Sequence, residues 1–142
     1  SEVGVAPVEV PLPVSLLVVG GPTHGFGMSR PSTRRDAARQ AAPEAVISGT
    51  IGIREWLEEA QVQSVLFAAA WDTRVERPAF LKLIDRSAEG MAKGLGRLGC
   101  TLVVRPQHFA VEGTKGPLRA GEMERARRWG GEVAEAATAL LG

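Results

Sequence analysis

A threonine, a histidine and a phenylalanine stand inside one glycine-rich stretch, Gly20-Gly-Pro-Thr-His-Gly-Phe-Gly-Met-Ser29, directly after the apolar run Val14-Ser-Leu-Leu-Val-Val19. Glycines bare the backbone, so its N–H and C=O groups can meet a ligand at close range. Thr23 and His24 add hydrogen-bonding groups, and Phe26 adds a flat apolar face. The preceding run has the length and composition of a parallel strand covered on both faces. Ligands in open α/β sheets gather in the crevice beyond such strand ends. Residues 20–29 are therefore where function is expected.

The remaining chemistry-bearing residues are weaker signals. His24 suits a ligand contact or a proton relay, and equally an ordinary turn contact. His108, shortly after Arg105-Pro106, reads as a capping group near a strand end. No second histidine, cysteine or carboxylate stands at ligand spacing from either histidine, so no metal site is expected. Ser29 and Ser32 lack a nucleophile-elbow pattern and read as turn or cap residues. Lys115, in Gly113-Thr-Lys-Gly-Pro-Leu118, lacks the Walker spacing of a phosphate loop. Cys100 is the single cysteine; it cannot form an internal disulfide and reads as a buried, inert thiol. Trp56 and Trp129 fall on or beside helical apolar stripes and are expected to pack. Trp71 differs, because it closes a strand.

These residues need a scaffold, and 142 residues with 44% hydrophobic content suffice for one domain with a real core. With 17 basic against 16 acidic residues the net charge is +1, so the chain lacks the basic footprint of a nucleic-acid binder. No apolar run approaches the roughly 20 residues that span a bilayer, and residues 1–13 lack the basic start of a secretory signal. A cytoplasmic location is expected.

Three short apolar runs, residues 14–19, 64–70 and 101–104, alternate with segments of helical period, which predicts βαβ units and a parallel sheet. Ile53, Trp56, Leu57 and Ala60 recur at i, i+3, i+4, i+7 and mark one amphipathic helix. Ala88, Met91, Leu95 and Leu98 mark a second, stopped by Gly99; its Gly90, Gly94 and Gly96 weaken helix propensity and suggest close packing on the sheet. Residues 119–141 predict a long covering helix with Met123, Ala126, Gly130, Val133, Ala137 and Leu140 on its stripe. Residues 30–49 read as a turn and a helix-compatible segment ended by Pro43, and residues 107–118 as a Gly/Pro-punctuated connection. At the front, residues 2–5 suggest the end of an edge strand, followed by prolines that read as a connector.

Four segments carry a family resemblance: Leu17-Val-Val-Gly-Gly-Pro-Thr-His-Gly-Phe-Gly-Met-Ser-Arg-Pro-Ser-Thr-Arg34, Gly52-Ile-Arg-Glu-Trp-Leu57, Ala70-Trp-Asp-Thr-Arg74 and Glu112-Gly-Thr-Lys-Gly-Pro-Leu-Arg-Ala-Gly-Glu122. In this order and spacing they resemble a bacterial flavodoxin over roughly residues 14 to 130. The resemblance implies an α/β, flavodoxin-like three-layer sandwich with a parallel sheet, binding FMN at the carboxyl ends of its strands. It further implies an electron carrier working with a redox partner protein, rather than an oxidoreductase that turns over a substrate. An isoalloxazine ring needs apolar surfaces on its faces and backbone groups at its polar edge. Pro22, Thr23, His24, Gly25, Phe26 and Gly27 are expected to form one wall and Trp71 the other, with Asp72 and Thr73 closing the rim.

One part of the family pattern has no match here. Flavodoxins open with a strand, a Ser/Thr/Asn/Gly-rich loop and a helix whose N-terminus cradles the FMN phosphate. Residues 1–13 resemble instead the family's second strand and its connector, so the first βα unit is expected to be missing or displaced. That predicts weakened FMN binding and a gap in the sheet, filled in a longer protein or by pairing in a homo-oligomer. Two other functions fit the same residues: a flavin-free, flavodoxin-derived interaction module, and a small NAD(P)H:quinone-type flavin reductase.

Overall fold

The computed structural model describes residues 2–3, 5–10, 13–23, 28–40, 51–62, 66–76, 86–113 and 115–142. Its centre is β4 (Phe67–Val75), a run so rich in alanine that helices can approach it closely. Ala68, Ala69 and Ala70 have no solvent exposure. On one side β4 pairs in parallel with β2 (Leu16–Pro22), in register from Leu16↔Phe67 to Pro22↔Thr73. On the other it pairs with β5 (Thr101–Leu102) and then β6 (Gln107–Val111), also in parallel. The three expected strands are therefore neighbours, although residues 63–65 lie outside the described residues.

The stretch expected to be a connection after residue 106 begins instead with β6. Pro106 has no N–H to give a ladder, so the chain leaves the sheet at residues 103–106. It then rejoins the same edge of β4 at Gln107. At the front, residues 2, 3 and 5 are outside any strand; the strand there is β1 (Glu9–Val10), flanked by Pro7 and Pro11. It pairs in parallel with β3 (Gln61–Val62) in a separate two-stranded sheet. Among the described residues β2 pairs with β4 alone.

Four helices are present among the described residues. The period of two along β4 sorts its side chains between two helical layers. Ala68 and Ala70, with Val19 of β2, pack against Trp56 and Leu57 of α2 (Ile53–Glu59) and Met91 and Leu95 of α3 (Ser87–Arg97). Ala69 faces the other way, with Phe109 of β6 against Trp129 and Val133 of α4 (Glu122–Leu141). This is an α/β architecture, with helices on both faces of a parallel sheet. Met91 and Leu95 are fully buried, each contributing roughly 1.5–3 kcal/mol of transfer free energy. The Trp56 indole N–H also donates to Pro7 O at 3.1 Å, tying the front segment to α2.

Two packing expectations are corrected. The stripe of α4 is narrower than expected, with Trp129, Val133 and Ala137 buried four residues apart while Met123 and Leu140 are more than half exposed. A 20-residue helix is about 30 Å long, whereas β4 has nine residues; the helix therefore outruns the sheet. The glycines of α3 admit neighbours other than the sheet. A Cβ on Gly94 would lie 2.8 Å from Leu57 Cδ1 and one on Gly90 3.2 Å from Met28 Cε, while Gly96 has nothing within 4 Å. The last helix, α1 (Pro31–Gln40), starts directly after the segment that carries Met28 and Ser29.

Candidate functional site

Register brings the two expected halves of the site side by side. Gly20, Gly21 and Pro22 stand opposite Trp71, Asp72 and Thr73, and the Thr23 N–H extends the ladder by donating to Thr73 O at 2.8 Å. Pro22 is exposed, and Thr23 and Thr73 are half-buried. The Thr23 hydroxyl oxygen is shielded from solvent and has no hydrogen-bond partner among the described residues. His24, Gly25, Phe26 and Gly27 lie outside the described residues.

Trp71 lies across β2 on the face that α4 covers. A Cβ on Gly20 would collide with the indole, so glycine is what lets the ring lie flat over the neighbouring strand. The edge of Phe109 meets Trp71 with centroids 6.2 Å apart, and Phe109 meets Trp129 in the same manner at 6.0 Å. The Arg125 guanidinium stacks 4.8 Å from the Phe109 centroid, so an aromatic ladder joins the middle of the sheet to α4; the strand expected to end at residue 70 runs on to Val75, and Trp71 lies within it. Trp71 is half-buried, whereas Val18 on the same face of β2 is 46% exposed.

Asp72 is located differently from its expected rim position. Strand alternation turns it to the opposite face from Trp71 and Thr73, where it is completely buried against the start of α3. Oδ1 accepts Arg74 Nε at 3.1 Å and lies 3.0 Å from His108 Nδ1. Oδ2 accepts Arg74 Nη2 at 3.1 Å and the Ala88 N–H at 2.9 Å. Burial pushes the Asp72 carboxyl upward, but the hydrogen bonds from His108, Arg74 and Ala88 outweigh it and hold the group below the usual aspartate range. A carboxylate held there also balances the positive end of α3.

His108 completes this network. Opposite Asp72 in the β4–β6 register, it has Nε2 within 3.0 Å of Glu89 Oε1 on α3, and Arg74 Nη2 also lies against its Nδ1. Its backbone oxygen accepts Arg125 of α4, so one residue connects the sheet to both helical layers. The ligand atoms of Asp72, Glu89 and His108 lie within 4.8 Å of one another, a donor set of the kind divalent metals use. The carboxylates missing near His108 in the sequence are thus supplied by the fold, from β4 and α3. Arg74 and Ala88 already donate to both Asp72 oxygens, so this carboxylate serves a charge network, while Glu89 Oε2 is shielded from solvent with no hydrogen-bond partner among the described residues. Sequence reasoning missed Arg74 and Glu89. A period-two reading of Asp72-Thr-Arg74 would have set Asp72 and Arg74 together, whereas no local signal points to Glu89.

Cys100 is buried in the core, which pushes its thiol above the ordinary range. No family model, curated protein or solved structure matches this chain. No helix among the described residues is long and apolar enough to cross a membrane.

Proposed function

We propose that this chain is a flavodoxin-type domain that binds FMN beyond the carboxyl ends of β2 and β4 and exchanges electrons with a partner protein. The observation that carries this reading is the register of Gly20–Pro22 on Trp71–Thr73, which sets a glycine backbone beside an aromatic side chain on neighbouring parallel strands. The residues present fit the ring of the cofactor. The unpartnered Thr23 hydroxyl would meet its polar edge, and Trp71 would meet a face. When bound, FMN supplies one- and two-electron exchange, while the chain supplies orientation and exclusion of water. The four resembling segments contain no phosphate cradle of the flavodoxin kind, so affinity is assigned to the ring.

Titration of the 142-residue chain with FMN and with riboflavin, read by flavin fluorescence, tests this. Both flavins should bind, with affinities within about tenfold of each other, or 1.4 kcal/mol. Binding of neither would end the flavin reading in favour of the interaction module. Turnover of NAD(P)H with a quinone by the loaded protein would favour the reductase instead.

A further inference from the structure

We infer that Arg34 and Glu55 are a positioning pair that holds the exit of the glycine-rich stretch, at Met28 and Ser29, against α2. Arg34 is 5% exposed on α1, an unusual burial for a guanidinium on a short polar helix. Its Nη1 donates to Ser29 Oγ at 3.2 Å and to Glu55 Oε2 at 3.1 Å, and its Nη2 donates to Glu55 Oε1 at 3.1 Å. Glu55 Oε2 also accepts the Gly52 N–H at 3.0 Å, which fixes the carboxylate at the start of α2. Two further contacts converge on the same place. Arg54 Nη2 reaches Met28 O at 3.4 Å, and Met28 Cε rests beside Gly90 of α3. A Cβ on Gly52 would collide with Arg34 Nη1 and lie 2.6 Å from Ser29 Oγ, so that position is kept clear for the pair.

A buried ion pair is a poor source of stability, because desolvation offsets its attraction and apolar substitutes often serve as well. Its distinctive contribution is geometry: the planar guanidinium fork binds carboxylate and hydroxyl in one orientation. Thr73 O holds the entry of the stretch through the Thr23 N–H, and Arg34–Glu55 holds the exit. Flanking residues held in place before a ligand arrives lower the ordering cost of binding. The ligand part of this inference rests on the flavin reading above.

The test uses the R34M/E55Q variant, which removes both charges, keeps side chains of similar length and leaves an amide oxygen in place of the carboxylate to accept the Gly52 N–H. Without flavin, backbone 15N relaxation at Met28, Ser29 and Arg30 should be as rigid as the sheet in the wild type. In R34M/E55Q those residues should become mobile while the unfolding midpoint is kept, and FMN affinity should fall at least tenfold. Unchanged relaxation and affinity in R34M/E55Q would overturn the inference. If the wild type binds no FMN, only the flavin reading fails, and relaxation alone decides the pair. Should R34M/E55Q not fold, R34K and G52A take its place. R34K keeps the charge without the fork, G52A crowds it, and wild-type rigidity at Ser29 in both would refute the positioning role.

Discussion

Trp71 and Trp56 are both tryptophans of the sheet-and-helix interior, yet their neighbours give them different work. Trp56 is buried in the core beside Leu57, Met91 and Leu95. Trp56→Ala should therefore cost about 3–5 kcal/mol in chemical denaturation. Trp71 is half-buried over Gly20, so under the flavin reading Trp71→Ala should weaken FMN binding by about 0.5–1.5 kcal/mol beyond lost area and shift the flavin potential. Titration and potentiometry of the two variants in parallel check this, and equal affinity and potential in Trp71→Ala would remove the residue from the site. Asp72 sits on the other face of the same strand. Asp72→Ala leaves the Arg74 guanidinium buried without its carboxylate, a loss of about 3–5 kcal/mol in unfolding free energy.

Among the elements, α3 is the most finely fitted, because two of its glycines weaken helix propensity equally but meet different neighbours. Gly94→Ala forces a methyl against Leu57 and should destabilise by about 1–3 kcal/mol. Gly96→Ala meets nothing within 4 Å and should stabilise by about 0.5–1 kcal/mol. Thermal unfolding of the pair gives opposite signs if the packing of α3 on α2 is as described. The N-terminus of α4 is held by a different device. Glu122 accepts the Ala110 N–H at 2.6 Å and pairs with Arg125, whose donation, together with the Ala110 bond, keeps the Glu122 carboxyl below its ordinary range against the effect of burial.

At the scale of the molecule, three carboxylates share one pH signature. Asp72, Glu55 and Glu122 are all held below their ordinary values in the folded chain. For Glu55, as for Asp72, burial pulls upward and is outweighed, here by Arg34 and the backbone hydrogen bonds. A carboxyl lowered by folding contributes stability that is complete above its unfolded value and disappears as pH falls through its folded value. Stability from these groups should thus be flat near neutrality and fall below about pH 4, with Asp72→Asn showing a shallower acid slope in urea melts at successive pH values. The sheet has its own whole-molecule consequence. β2 pairs on one side only among the described residues and carries no charge to blunt an edge. Val18→Lys should leave stability within about 0.5 kcal/mol while reducing concentration-dependent association in light scattering.

Strands and helices were legible in the order of amino acids wherever a period was long enough to read: the β2 and β4 runs, and the stripes of α2 and α3. So was the place of the glycines near the carboxyl end of β2, whereas Trp71, expected to close its strand, is the fifth of the nine residues of β4. The partnerships came only with the folded chain. His108 looked isolated because its carboxylates come from β4 and α3, and only the Asp72↔His108 register closes that distance. Asp72 looked like part of one rim with Trp71 because chain neighbours were read as spatial neighbours, whereas the pleat sends them to opposite faces. Strand β6 was hidden because Pro106 breaks the apolar run, and only an available edge on β4 restores it. Arg34 reads as a surface arginine until Ser29, Gly52 and Glu55 are folded around it, since burial of a charge depends on partners that no local pattern contains.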